Sequence, residues 1–130
     1  MWKRSKHLID ENAVENFEIQ NKISIPLSLK SLIKECNGAR PTSNTVEFDN
    51  TTYRLGWLLS YNEEDVYAIY KVYDYFKSKY NKKLLPFATE ESGDYYCVDL
   101  DDKAVIYWSH EDEMIKMICD NISEFLSLFS

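Results

Sequence analysis

His110 stands directly before Glu111, Asp112 and Glu113, and an imidazole beside carboxylates is the raw material of a general base or a metal site. A zinc-binding helix of the H-E-x-x-H kind needs a second histidine four residues after the first. Met114 stands there instead, and the other histidine, His7, lies in residues 1–12, a stretch expected to be loosely ordered. The cluster therefore reads as a polar turn after a strand. Asp99, Asp101 and Asp102 are a second concentration of carboxylates. Glycosidase-type pairs need one acid in apolar surroundings to raise its pKa, whereas a hairpin turn offers solvent. Cys36, Cys97 and Cys119 are far apart, set among apolar neighbours and without a C-x-x-C pair; they read as reduced core thiols. Gly38, Gly56 and Gly93 are isolated, which gives no phosphate-cradling loop, and no serine has a G-x-S-x-G setting. No catalytic residue, metal or cofactor is expected.

Charge says more about partners. The chain of 130 residues has a formal net charge of −7, but residues 1–52 balance seven basic against seven acidic side chains. Residues 84–130 hold only Lys103 and Lys116 against eleven acids, a net of −9. Such a field repels nucleic acid and anionic membrane and draws in a basic partner; an acidic surface also serves solubility. The length suits one domain with its own core. A content of 45% hydrophobic and 28% charged residues is ordinary for a globular protein. The basic start Met1 to Lys6 is followed by Asp10, Glu11 and Glu15 rather than an apolar run. No stretch reaches the roughly 20 apolar residues a bilayer requires, so a cytoplasmic location is expected.

The elements that must carry these groups follow from periodicity. Val14 and Phe17 share one face of a short first helix. Pro26 opens a second, whose stripe is Leu29, Leu32, Ile33 and Cys36 and which Asn37-Gly38 ends. Thr45–Phe48 and Thr51–Leu55 are β-prone around an Asp49-Asn50 turn, with Gly56–Leu59 as a continuation. Asn62 with Glu63, Glu64 and Asp65 predicts a helix start, and Val66, Ile69, Tyr70, Tyr73, Phe76 and Tyr80 follow at helical spacing. Leu84–Ala88 reads as an edge strand because of Pro86. Asp94–Leu100 and Ala104–Trp108 form a hairpin around Asp101–Lys103. Met114–Cys119 is open between strand and helix. Asn121 and Glu124 fit a capping box for a last helix with Ile122, Phe125, Leu126 and Phe129 inward. The fold class is α+β: a central, mostly antiparallel sheet with helices packed against it. Tyr67, Tyr75 and Tyr95 lie off the main apolar faces, where aromatic residues serve interfaces or a second buried face.

In this arrangement the chain resembles the SUKH superfamily, the Smi/Knr-like domains. Glu18, Ile25-Pro26, the helix Leu29–Cys36 and Asn37-Gly38 match its first signature. Leu85-Pro86-Phe87-Ala88, Gly93-Asp94, Cys97-Val98-Asp99 and Tyr107-Trp108-Ser109-His110-Glu111 match the second. Asp120, Ile122 and Glu124-Phe125-Leu126 match the close, so the likeness runs over about residues 14–129. It departs at Asn21-Lys22, Leu29 and Ala39. The resemblance implies a single domain over residues 1–130 and, for bacterial members, an immunity role: direct binding and neutralisation of a cognate polymorphic toxin, basic nuclease domains included. Its fungal branch implies an intracellular scaffold or regulatory interaction module instead. A small hydrolase built on His110 is the enzymatic alternative. The expected contact residues are Asp94, Asp99, Asp101, Asp102, Trp108, His110 and Glu111. The chain is expected to bind neither nucleic acid nor membrane and to be a monomer or weak homodimer.

Overall fold

The computed structural model describes residues 2–48 and 50–129. Within them lie β1 (Trp2–Lys3), α1 (Ala13–Asn21), α2 (Leu27–Cys36), β2 (Arg40–Pro41), β3 (Thr45–Phe48), β4 (Thr51–Arg54), α3 (Ile69–Tyr80), β5 (Leu84–Thr89), β6 (Tyr95–Asp99), β7 (Val105–Trp108), β8 (Ile115–Cys119) and α4 (Ile122–Leu128). The positions after Pro26 behave as their spacing demands: Leu29, Leu32 and Ile33 are buried, and Gly38 leaves the helix at φ +70°. β5 to β8 pair in sequence order as an antiparallel meander, while β1–β2 and β3–β4 form two small antiparallel pairs. The α+β class is thus established. The open stretch Met114–Cys119 resolves as a strand over Ile115–Cys119, and Asn121 caps α4 by accepting the Glu124 N–H at 2.8 Å. Asp49, half of the expected turn between β3 and β4, lies outside the described residues.

Both faces of β5 to β7 are covered, which is why so few of their side chains see water. On one face α3 sets Phe76 against Trp108 (5.0 Å between ring centres) and Tyr95 (5.9 Å). On the other, α4 sets Phe125 against Tyr96 (5.1 Å) and Phe87 (5.6 Å). Edge-to-face and tilted aromatic pairs at these separations add to the apolar burial itself. Tyr95, the outward partner of an expected alternation, is therefore half-buried under α3.

Two expectations need correction. The helix expected from Asn62 starts at Ile69. Asn62 is buried and caps nothing: its Oδ1 accepts the Ile9 N–H at 3.0 Å and its Nδ2 donates to the His7 carbonyl at 2.8 Å. Residues 62–68 loop back instead, with Ser60 N–H donating to the Tyr67 carbonyl and Ile69 N–H to the Ser60 carbonyl. Val66, placed in the buried stripe, is 88% exposed. Acids that suit a helix start also suit a solvated loop, and the competing bonds from Asn62 and Ser60 decide for the loop. The N-terminal residues expected to be loosely ordered carry these bonds, together with Lys6 N–H to the Asn37 carbonyl at 2.7 Å.

The second correction concerns Gly56–Leu59, which does not extend β4. It runs along the outer side of β5, with Gly56 N–H donating to the Thr89 carbonyl, Thr89 N–H to Trp57 and Leu59 N–H to Phe87. The approach is close enough that a Cβ on Gly56 would lie 2.5 Å from Thr89 Oγ1. Gly56→Ala is expected to destabilise the protein by about 1–3 kcal/mol through overpacking, read as a lower urea midpoint. An unchanged midpoint would mean the strap does not lie against β5.

Candidate functional site

Gly93-Asp94 and His110 come from different strand ends and meet at one end of the sheet. Tyr95 pairs with Trp108, so the residues just outside that rung are brought together. Gly93, at φ +105°, turns the chain beside the His110 ring; a Cβ there would be 3.5 Å from Nδ1. Asp94 is 7% exposed and accepts the His110 N–H at 2.9 Å, while His110 Nδ1 lies 2.5 Å from the same Oδ1. The Tyr107 hydroxyl donates to Asp94 Oδ2 and lies 3.3 Å from Glu90 Oε2.

These contacts set the ionisation. Burial works against a charged Asp94, but the Tyr107 hydroxyl, the His110 amide and the His110 ring outweigh it and hold the carboxyl below its ordinary range. The hydrogen bond to Asp94 raises the His110 pKa, against partial desolvation. Burial first, then Asp94, pushes the Tyr107 phenol up, so it stays a donor. With Asp94 ionised, Nδ1 carries the proton between the two groups. The stabilisation tied to His110 is present below the ordinary imidazole range and fades as pH rises through its raised value. That tied to Asp94 is present above the ordinary carboxyl range and fades as pH falls through its lowered value. Proton NMR should find His110 titrating above a free imidazole, with Asp94→Asn bringing it down. A midpoint unmoved by that change would mean the pair does not form.

A histidine oriented by a buried carboxylate is the base half of a nucleophilic dyad. The nearby hydroxyl of Ser92 is committed to Glu90. The thiols are held in their protonated forms by burial, Cys119 being pushed up to about 11 and Cys97 well above its ordinary value. What the geometry does is lock a turn: one carboxylate gathers a strand start, a strand side chain and the following loop.

The other expected residues lie elsewhere. Asp99, Asp101 and Asp102 sit at the opposite end of β6, roughly 16 Å away at about 3.3 Å per residue. Asp99 is buried, accepts the Asp101 N–H at 2.9 Å and lies 3.5 Å from Lys83 Nζ. Asp102 accepts the Ala104 N–H at 2.9 Å. Asp101 shares a groove with Lys22, Lys82, Lys83 and Lys103, so this end carries both signs of charge. Trp108 is 6% exposed and donates from Nε1 to the Tyr80 hydroxyl at 3.0 Å; it is part of the core beneath α3. Glu111 is exposed beside His110. The seven residues thus form two separate ends and a core ring rather than one patch. Sequence reasoning passed over Met114, Ile115 and Met117, exposed on and beside β8; their signal was an apolar run with a single lysine inside it. Among the described residues no cluster of His, Cys, Asp and Glu is arranged to hold a metal, and no helix is long and apolar enough to cross a membrane.

A family model described as the SMI1 / KNR4 family (SUKH-1) matches residues 8–128. The chain belongs to this family. No curated protein matches it. The match to the SMI1 / KNR4 family gives the signature residues physical meaning in this chain. Asn37 and Asp94 are each buried polar groups that tie remote backbone together, and Gly38 and Gly93 are the positive-φ steps beside them. Membership of the SMI1 / KNR4 family fits non-catalytic interaction modules, including toxin-immunity proteins, at family level.

Proposed function

We propose that this chain is an immunity protein: it binds a cognate protein toxin stoichiometrically and neutralises it without chemistry. The observation that carries the reading is the family match over nearly the whole chain. The acidic C-terminal stretch supports a basic partner, nuclease domains among them, because acids can occupy a surface built for phosphate. The Asp94–His110 clamp supports a non-enzymatic reading, since its hydrogen bonds hold a turn. In this reading the protein works in the cytoplasm, beside the toxin it restrains.

Co-expression with the C-terminal domain of a toxin encoded beside this chain tests the proposal: growth is rescued and a one-to-one complex purifies. The family match also accommodates a scaffold with no toxin partner, for which rescue and complex would both be missing. Association should slow as salt rises, because the Debye length shrinks to about 3 Å at 1 M. Asp101→Lys, which leaves the Asp102–Ala104 bond intact, is expected to weaken binding by about ten-fold if the hairpin joins the contact. Unchanged affinity would remove the hairpin from it.

A further inference from the structure

The two edges of the four-stranded sheet are finished differently. On the β5 side Pro86 removes one donor, and residues 56–59 bond along the strand, so that edge is closed. On the β8 side the described residues pair with β7 alone. Ser109 N–H donates to the Met114 carbonyl at 3.0 Å. Bonding alternates along an antiparallel ladder, so Lys116 turns its peptide groups toward β7 and Ile115 and Met117 turn theirs outward. Their side chains share one sheet face and are 44% and 56% exposed. α3 covers that face only as far as Trp108, with the Tyr75 ring 6.0 Å from it and the Tyr75 hydroxyl bonded to Glu113 at 2.7 Å. An apolar ledge and free peptide groups therefore coincide on β8. Proteins commonly guard such edges with proline or a charge on the exposed face. Lys116 points to the opposite face, its ammonium 5.9 Å from the centre of the Tyr53 ring.

We propose that β8 receives an extended, basic-flanked segment of a protein partner as an added strand, with Ile115 and Met117 supplying both the backbone bonds and the apolar contact. This rests on the reading of the chain as a protein-binding immunity module. Charge selects the occupant. Glu111 and Asp112 precede the strand, Asp120 and Glu124 follow it, and all four are exposed. A second copy adding its own β8 antiparallel would bring Glu111 and Asp112 of one chain alongside Asp120 and Glu124 of the other, and like charges across strands are unfavourable. A segment with lysine or arginine at both ends meets acids at both.

The probe is a synthetic peptide of alternating valine and threonine with two lysines at each end, followed by amide hydrogen exchange. It should slow exchange at Ile115 and Met117 by at least about ten-fold and leave Lys116, already bonded to β7, nearly unchanged. Replacing the terminal lysines by glutamates should weaken binding by at least about ten-fold. Met117→Pro removes an outward N–H at a site where an edge strand tolerates proline, and Ile115→Lys charges the ledge without touching the core; both should abolish protection. No protection at Ile115 and Met117 at any soluble peptide concentration overturns the proposal. So does a dimer in sedimentation that protects the same amides without peptide. A toxin complex indifferent to both β8 variants overturns the docking strand while leaving the immunity reading standing. Protection by the peptide where co-expression rescues nothing supports the strand and removes the toxin.

Discussion

Phe76→Ala is expected to cost about 3–5 kcal/mol of stability, the range for emptying a large aromatic site in a core. Phe76 is the point where α3 seats on the sheet, with Tyr75, Tyr80, Tyr95 and Trp108 all within 6 Å of its ring centre. Its loss leaves a space that rigid neighbouring rings fill poorly, and it loosens the Trp108–Tyr80 hydrogen bond that crosses the same layer. Urea unfolding followed by tryptophan fluorescence measures the loss. Tyr75→Ala, one residue away but half out in solvent, provides the contrast and should cost much less. A loss at Phe76 no larger than that at Tyr75 would mean the helix does not rest on the sheet as described.

Asn37→Ala should be nearly as damaging, at about 3 kcal/mol, although it removes only a small polar group. Asn37 is buried; its Nδ2 donates to the Lys6 carbonyl at 2.9 Å and to Ser60 Oγ at 3.0 Å, and its Oδ1 accepts the Tyr61 N–H at 2.8 Å. Alanine strands the Lys6 carbonyl and the Tyr61 N–H, while Ser60 Oγ keeps Asp65 and Asn62, and each stranded buried group costs about 1–3 kcal/mol. Asn37→Asp keeps the shape but gives up the donors and buries a charge, so it should be no better. Amide exchange at Lys6 and Tyr61 should quicken in both variants. Native-like exchange there would show that the asparagine does not hold the segments together.

Much of the fold was legible because local rules and burial agreed. Leu29, Leu32 and Ile33 repeat at helical spacing, and Gly38 occupies the left-handed step that ends their helix. Tyr96 and Val98 alternate with Cys97 as a strand requires, and Asn121 caps α4. The misreadings arose where a side chain had a long-range partner that spacing does not reveal. Asn62 has the local setting of a helix cap, but its side chain is taken by Ile9 and His7, fifty-three and fifty-five positions away. Gly56 resembled a strand residue, yet it is glycine because Thr89 leaves no room for a Cβ. The candidate site was legible in pieces. Asp94 and His110 were both named, but their contact depends on the β6–β7 register. Asp99 and Asp101 belong to the acidic stretch 84–130, while most of the lysines beside them come from outside it: Lys22 after α1, and Lys82 and Lys83 after α3. Trp108 was chosen for its residue type and is spent in the core.

The order of strands in the meander bears on how the molecule is made. β5 to β8 are neighbours in sequence as well as in the sheet, so each pairing closes a short loop, and short loops close at little entropic cost. α2, by contrast, packs on α4 across most of the chain. A ribosome delivers α1 and α2 first, with Phe17, Leu29 and Ile33 in search of surfaces still untranslated. Phe17 meets Tyr61, Tyr70 and Tyr73 once α3 has followed, but α2 must wait, partly uncovered, until the meander and α4 have been made.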